Sequence, residues 1–114
     1  MANTFTKAVS SASVGTTEET IYTVPSSTTG IVVGINLANV VNSQIKVTVK
    51  LNSVHLVKNV PVPAGSALAV LDGKLVAQAG DVIKVESDTA DSTDVIISIL
   101  EQDWWVDMLD LVEQ

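Results

Sequence analysis

An all-β fold, an antiparallel β-sandwich of jelly-roll type with about eight strands, is predicted by three features of this chain. From about Tyr22 to Leu100, apolar and polar residues alternate in short runs. These runs are separated by Gly, Pro, Asn and Asp turns at spacings of roughly 8–12 residues, the rhythm of a sandwich or barrel. The chain is 46% hydrophobic but only 4% aromatic, so its core must be built from Val, Ile, Leu and Ala, and the β-branched members favour strands. Helical spacing is confined to the last fourteen residues.

The elements follow in order. Residues 1–19 are rich in Ser, Thr and Ala with a thin alternation at Phe5, Lys7 and Val9; they are expected to form an extended arm, ending in an edge strand at most. Thr20–Val24 is the first strand, closed by Pro25 and the SSTTG turn. In Thr29–Val40, Ile31, Val33, Ile35 and Leu37 share one face, and Gly34 marks a bulge or a close backbone approach. Gln44–Leu51 is the cleanest strand, with Ile45, Val47, Val49 and Leu51 alternating against Lys46, Thr48 and Lys50. Asn52-Ser53 turns it into Val54–Val60 as a hairpin. Pro61 and Pro63 stiffen the next connection because neither can donate to a ladder. Ser66–Leu71 and Lys74–Ala77 flank Asp72-Gly73, the strongest two-residue hairpin signal in the chain. Val82–Glu86 and Val95–Leu100 complete the sheets. The last is apolar on both faces, which suits a central strand covered on each side.

Composition excludes several functions. A chain of 114 residues makes one domain. It holds no cysteine, so disulfides, thiol catalysis and Cys-based metal sites are out. The net charge is −7, and all six basic residues are lysines. Nucleic-acid binding needs phosphate neutralisation and Arg forks, and this chain has neither. No apolar run is long enough for a membrane span, and the polar start lacks the apolar segment of a secretion signal. No nucleic-acid or membrane partner is expected.

Candidate chemical sites all have simpler explanations. His55, the single histidine, lies mid-hairpin with no orienting carboxylate nearby in sequence, and is expected on a sheet surface. Asp88, Asp91 and Asp94 recur every third residue, which is not the alternate-residue pattern of a calcium loop; a solvated turn is expected. The glycines form neither GxGxxG nor GxxxxGK[ST]. Glu18 and Glu19 are adjacent, so in a strand they would point to opposite faces and could not act as a glycosidase pair. No catalytic residue, metal site or cofactor is predicted, and the chain is expected not to be an enzyme.

The C-terminal strip, EQDWWVDMLDLVEQ, stands apart. It contains both tryptophans and five acids (Glu101, Asp103, Asp107, Asp110 and Glu113) with no base, which leaves −2 for the body. With Asp103 as an N-cap, Trp105, Met108, Leu109 and Val112 would line one face of a short helix, with Trp104 and Leu111 at its margin. A helix this short is marginal alone in water, so it must pack on something, either its own body or another subunit. Aliphatic cover within the body favours the second, as does the prominence of Trp among interface hot spots. The partner-binding set is therefore Trp104, Trp105, Met108, Leu109, Leu111 and Val112, in a short helical or extended tail. The expected divisions are an arm at 1–19, a sandwich at 20–101 and an interaction tail at 102–114.

From Glu19 to Leu100 the chain resembles a family of small β-sandwich proteins found in tailed-bacteriophage virions. The likeness is carried by IYTVP at 21–25, GIVV at 30–33, VTVKL at 47–51, VPVPAG at 60–65, QAGDV at 78–82 and DVIISIL at 94–100. It implies a capsid decoration (cement) protein, or a tail or neck component, commonly oligomeric around a symmetry axis. On this likeness the chain is expected to be a homo-oligomer, as a trimer, bound to the major capsid protein or to tail and neck subunits. Its expected location is the virion, assembled in the host cytoplasm. A carbohydrate-binding or receptor-binding module is the alternative from another class. The acidic Trp-Trp tail lies outside the likeness and rests on the physical argument.

Overall fold

The computed structural model describes residues 2–71 and 73–103. Nine strands and no helix occur among them: β1 Ala2–Val14, β2 Glu19–Thr23, β3 Thr28–Asn39, β4 Ile45–Leu51, β5 Val54–Val62, β6 Ala67–Ala69, β7 Leu75–Ala77, β8 Val82–Ser87 and β9 Thr93–Asp103. They form two antiparallel sheets. The longer has the order β1-β9-β3-β6, with β7 also on β3; the shorter has the order β2-β8-β4-β5. Inward side chains of both sheets meet in one core that includes Leu37, Ile45, Ile83, Ile97 and Ile99. Chain-remote pairing thus buries an aliphatic core of the kind the composition requires, in a layered arrangement consistent with a β-sandwich.

Four local expectations change. The arm expected at 1–19 contains β1, an edge strand paired with β9 from Ala2 opposite Asp103 to Ser10 opposite Val95, and again at Val14 opposite Thr93 after a shift of register. Pro61, expected beyond the strand, lies within β5 opposite Lys46; β5 is an edge, where a proline can leave a ladder unserved.

The Asp72-Gly73 hairpin does not form, because β6 and β7 do not pair with each other. They lie end to end on one side of β3, Ala67–Ala69 against Asn36–Ala38 and Leu75–Ala77 against Gly30–Val32. Both run antiparallel to β3 and hence in the same direction, which a hairpin forbids. The long β3 offers a ladder to both segments and lets Leu68, Leu71 and Leu75 reach the core.

The bulge expected at Gly34 is present, since the β3–β9 register shifts between Val32 and Gly34. Its consequence differs from the simple alternation. The extra residue turns Val32, Ile35 and Leu37 inward and leaves Val33 exposed. No close approach occurs there, for a Cβ at Gly34 would meet nothing within 4 Å.

Candidate interaction surface

The outer faces of the two sheets differ in chemistry. Directly opposed residues of antiparallel strands share a face. On the long sheet, Phe5, Leu100, Ile31 and Val76 make one row across four strands. Val9, Ile96, Asn36 and Ala69 make another. The rows lie four residues apart on β9, about 13 Å. Phe5 is 79% exposed, Val9 60%, Val76 58% and Ile96 48%. Between the rows, Lys7 faces Ser98 and Gly34, and the bulge residue Val33 adds a further apolar side chain. Two open grooves of about 490 Å³ each cross this face and share Val33 and Ser98.

Contiguous exposed apolar surface of this kind marks interaction sites more often than solvent-facing structure does. The expectation for β9 is therefore met in one respect only. It is central within its sheet, between β1 and β3, but nothing among the described residues covers Ile96.

The short sheet presents charge instead. Lys50 Nζ lies 2.8 Å from one Glu18 carboxylate oxygen, and Lys84 Nζ lies 3.6 Å from the other. The Lys50 hydrogen bond is the main cause holding Glu18 below the usual carboxylate range, and reciprocally Glu18 raises Lys50. These groups are solvated, so the pair sets surface charge rather than stability.

At the end where β9 leaves the body, the Tyr22 hydroxyl donates to a Glu101 carboxylate oxygen at 2.5 Å, tying β2 of one sheet to β9 of the other. Burial first, and the Glu101 hydrogen bond and charge second, push Tyr22 above the ordinary tyrosine value. Gly30 makes this possible: a Cβ there would stand 3.3 Å from the Tyr22 oxygen. Glu101, counted by sequence among the acids of the tail, is thus part of β9 and serves the body.

The remaining sequence candidates take structural places. His55 is exposed on β5 opposite Lys50. Asp88 accepts from the Lys46 backbone N–H at 3.1 Å, the main cause of its lowered pKa, and from the Thr89 hydroxyl at 3.0 Å. No group of three or more His, Asp or Glu side chains suited to a metal occurs among the described residues. No helix among them is long and apolar enough to cross a membrane. Trp104, Trp105, Met108, Leu109, Leu111 and Val112 lie outside the described residues. The apolar face itself was missed by sequence reasoning, although the alternation at Phe5, Lys7 and Val9 and the two-sided apolarity of 95–100 were its signals.

No protein-family model matches this chain, and no curated protein matches it. Among solved structures it is similar to a chain described under the words "Bacillus endospore appendages form a novel family of disulfide-linked pili". The TM-score is 0.55 at 14% identity, over 89% of this chain and 88% of that one. At that identity the likeness concerns the fold alone.

Proposed function

We propose that this chain is a non-enzymatic structural protein of a bacteriophage virion, a capsid decoration protein that stabilises the particle through subunit contacts. It associates with itself, as a trimer, and ties neighbouring subunits together. The observation that carries this reading is the apolar outer face of the long sheet, on a body whose ordered run from Ile21 to Leu100 resembles that of the virion proteins. The strand order adds support. With β6 and β7 counted as one interrupted strand, the order β1-β9-β3-β6/β7 against β2-β8-β4-β5 supports an eight-stranded jelly-roll reading, an architecture that recurs in capsid and lectin domains. Attachment works by area and avidity: a stable interface needs about 1,600 Å², and linked attachment points multiply weak contacts.

A second reading, a filament subunit, is favoured by the likeness to the pilus chain. This chain has no cysteine, so disulfide linkage could not join its copies, and a filament would have to rely on surface contacts. Carbohydrate binding has weaker support, because Tyr22 is engaged with Glu101 and Phe5 is left as the exposed aromatic of the body.

The test is reconstitution on purified particles. Decoration predicts saturation at hundreds of copies, whereas a ring of roughly 5–18 copies would assign the chain to the neck or tail. Open-ended fibres of the protein alone would favour the filament. Trp104→Ala with Trp105→Ala should weaken particle binding and leave the melting temperature of the free protein unchanged. An equal loss of thermal stability would place the tail in the core.

A further inference from the structure

Among the described residues nothing covers the outer face of the long sheet, and the chain carries one segment whose composition fits it. The surface is the pair of rows through Phe5–Leu100–Ile31–Val76 and Val9–Ile96–Asn36–Ala69. The segment is 104–114, which contains both tryptophans, Met108 and four aliphatics in eleven residues. It follows directly from β9, the central strand of that sheet.

We propose that residues 104–114 of one copy dock on the outer face of the β1-β9-β3 sheet of a second copy. The inference rests on the self-associating reading above and names the contact that would carry it.

Three arguments select this occupant and a second chain. The first is apolar match. Indole rings bury large area and need an apolar floor, and Phe5, Val9, Val33, Ile96 and Val76 provide one. The second is charge. Asp107, Asp110 and Glu113 have no base within the segment, while Lys7 sits between the two rows opposite Ser98 and Lys74 is exposed beside β7. A basic group at the centre of an apolar face orients an acidic strip.

The third is direction. The run of β9 carries the chain away from Ile96 toward Asp103. To lie on its own sheet the chain would have to reverse just after β9, where Asp103 is the single turn-forming residue and no Gly, Pro or Asn follows it in the strip. The reversal would also consume the two indoles that most need burial. A neighbour's sheet requires no reversal.

Both tryptophans of the protein lie in this segment, so intrinsic tryptophan emission reports on its environment alone. The experiment measures the emission maximum of the full chain against concentration, together with mass by sedimentation. It is repeated for Phe5→Asp/Ile96→Asp and for a control, Val54→Asp, at an exposed residue of the other sheet. The expected result is a blue shift that grows with concentration and with oligomer mass. The face variant should weaken association by at least about tenfold, since a factor of ten corresponds to only 1.4 kcal/mol, and the control should not.

A blue shift independent of concentration on a monomer would overturn the proposal, because the segment would then cover its own chain. A shift unchanged by the face variant would move the contact to another surface, and the emission of solvated indole at every concentration would abolish it. Should Ile96→Asp disturb folding by circular dichroism, Phe5→Asp/Val76→Asp on the edge strands β1 and β7 carries the same test. Failure of this contact with particle binding intact leaves the virion reading standing; loss of particle binding by the unaltered chain removes that reading.

Discussion

Replacing Tyr22 with Phe removes one hydroxyl from a half-buried tie between the two sheets and leaves the ring in place. The bond it removes joins the phenol to the Glu101 carboxylate at 2.5 Å. A hydrogen bond to a charged group contributes about 1.5–3 kcal/mol, and partial exposure puts this one near the lower end. At about 1.5 kcal/mol, the melting temperature of a domain of this size should fall by roughly 5–10 °C.

The pH dependence gives a second handle. Unfolded tyrosine ionises near pH 10, whereas the folded phenol is held protonated to higher pH by burial and by Glu101. Between those two values the unfolded state releases its proton first, so stability falls as pH rises above about 10. Below that value the contribution is fully present. The difference between wild type and Tyr22→Phe isolates the phenol from any other group that titrates in the same range.

Tyr22 is the single tyrosine of the chain, so tyrosinate absorbance follows it directly. Wild type should show no tyrosinate at its ordinary pH until the protein unfolds, and the two melting curves should converge toward high pH. Ordinary titration in the folded protein, or equal melting of the two proteins at pH 7, would refute the tie.

Three further substitutions test the packing that positions the sheets. Gly15→Ala should destabilise by about 1–3 kcal/mol in denaturant unfolding, the range for overpacking. The added Cβ would meet the Ala90 Cα at 3.0 Å and the Asp91 nitrogen at 3.2 Å, and the Ser87–Ser92–Thr89 hydrogen bonds hold that loop in place. Gly34→Ala, with open space at its Cβ, should be neutral or slightly stabilising in the same assay. Asn39→Ala should cost about 1–3 kcal/mol, measured the same way. Its buried amide donates to the Ser43 and Val62 carbonyls at 2.8 and 3.0 Å, and its oxygen accepts from the Val41 N–H at 2.9 Å.

Much of the fold was legible because strand periodicity is local. Seven of the eight predicted strands need only an alternating run and a turn, and the boundaries of β4, β8 and the Asn52-Ser53 hairpin lie within a residue or two of their expected places. The alternation of β1 is too thin to mark a strand by itself; what makes it one is the ladder of β9, which sets Ala2 opposite Asp103. The Asp72-Gly73 signal is a statement about four residues, and it lost to the length of β3, which no local window contains.

Of the candidate surface, the sequence marked the two-sided apolarity of 95–100, and separately it marked the apolar, acidic character of 104–114. Composition and spacing also determined that the core is aliphatic, that the body carries little net charge and that cysteine chemistry is absent. Which face of β3 turns inward depended on a one-residue bulge, and which apolar residues remained outside depended on how two sheets closed over one another. Phe5, Val33, Val76 and Ile96 come from four separate strands, and only tertiary packing brings them to one exposed face. A linear pattern specifies what a strand could bury on either side; the choice between its sides is made by the partner layer, which exists only once the chain has folded.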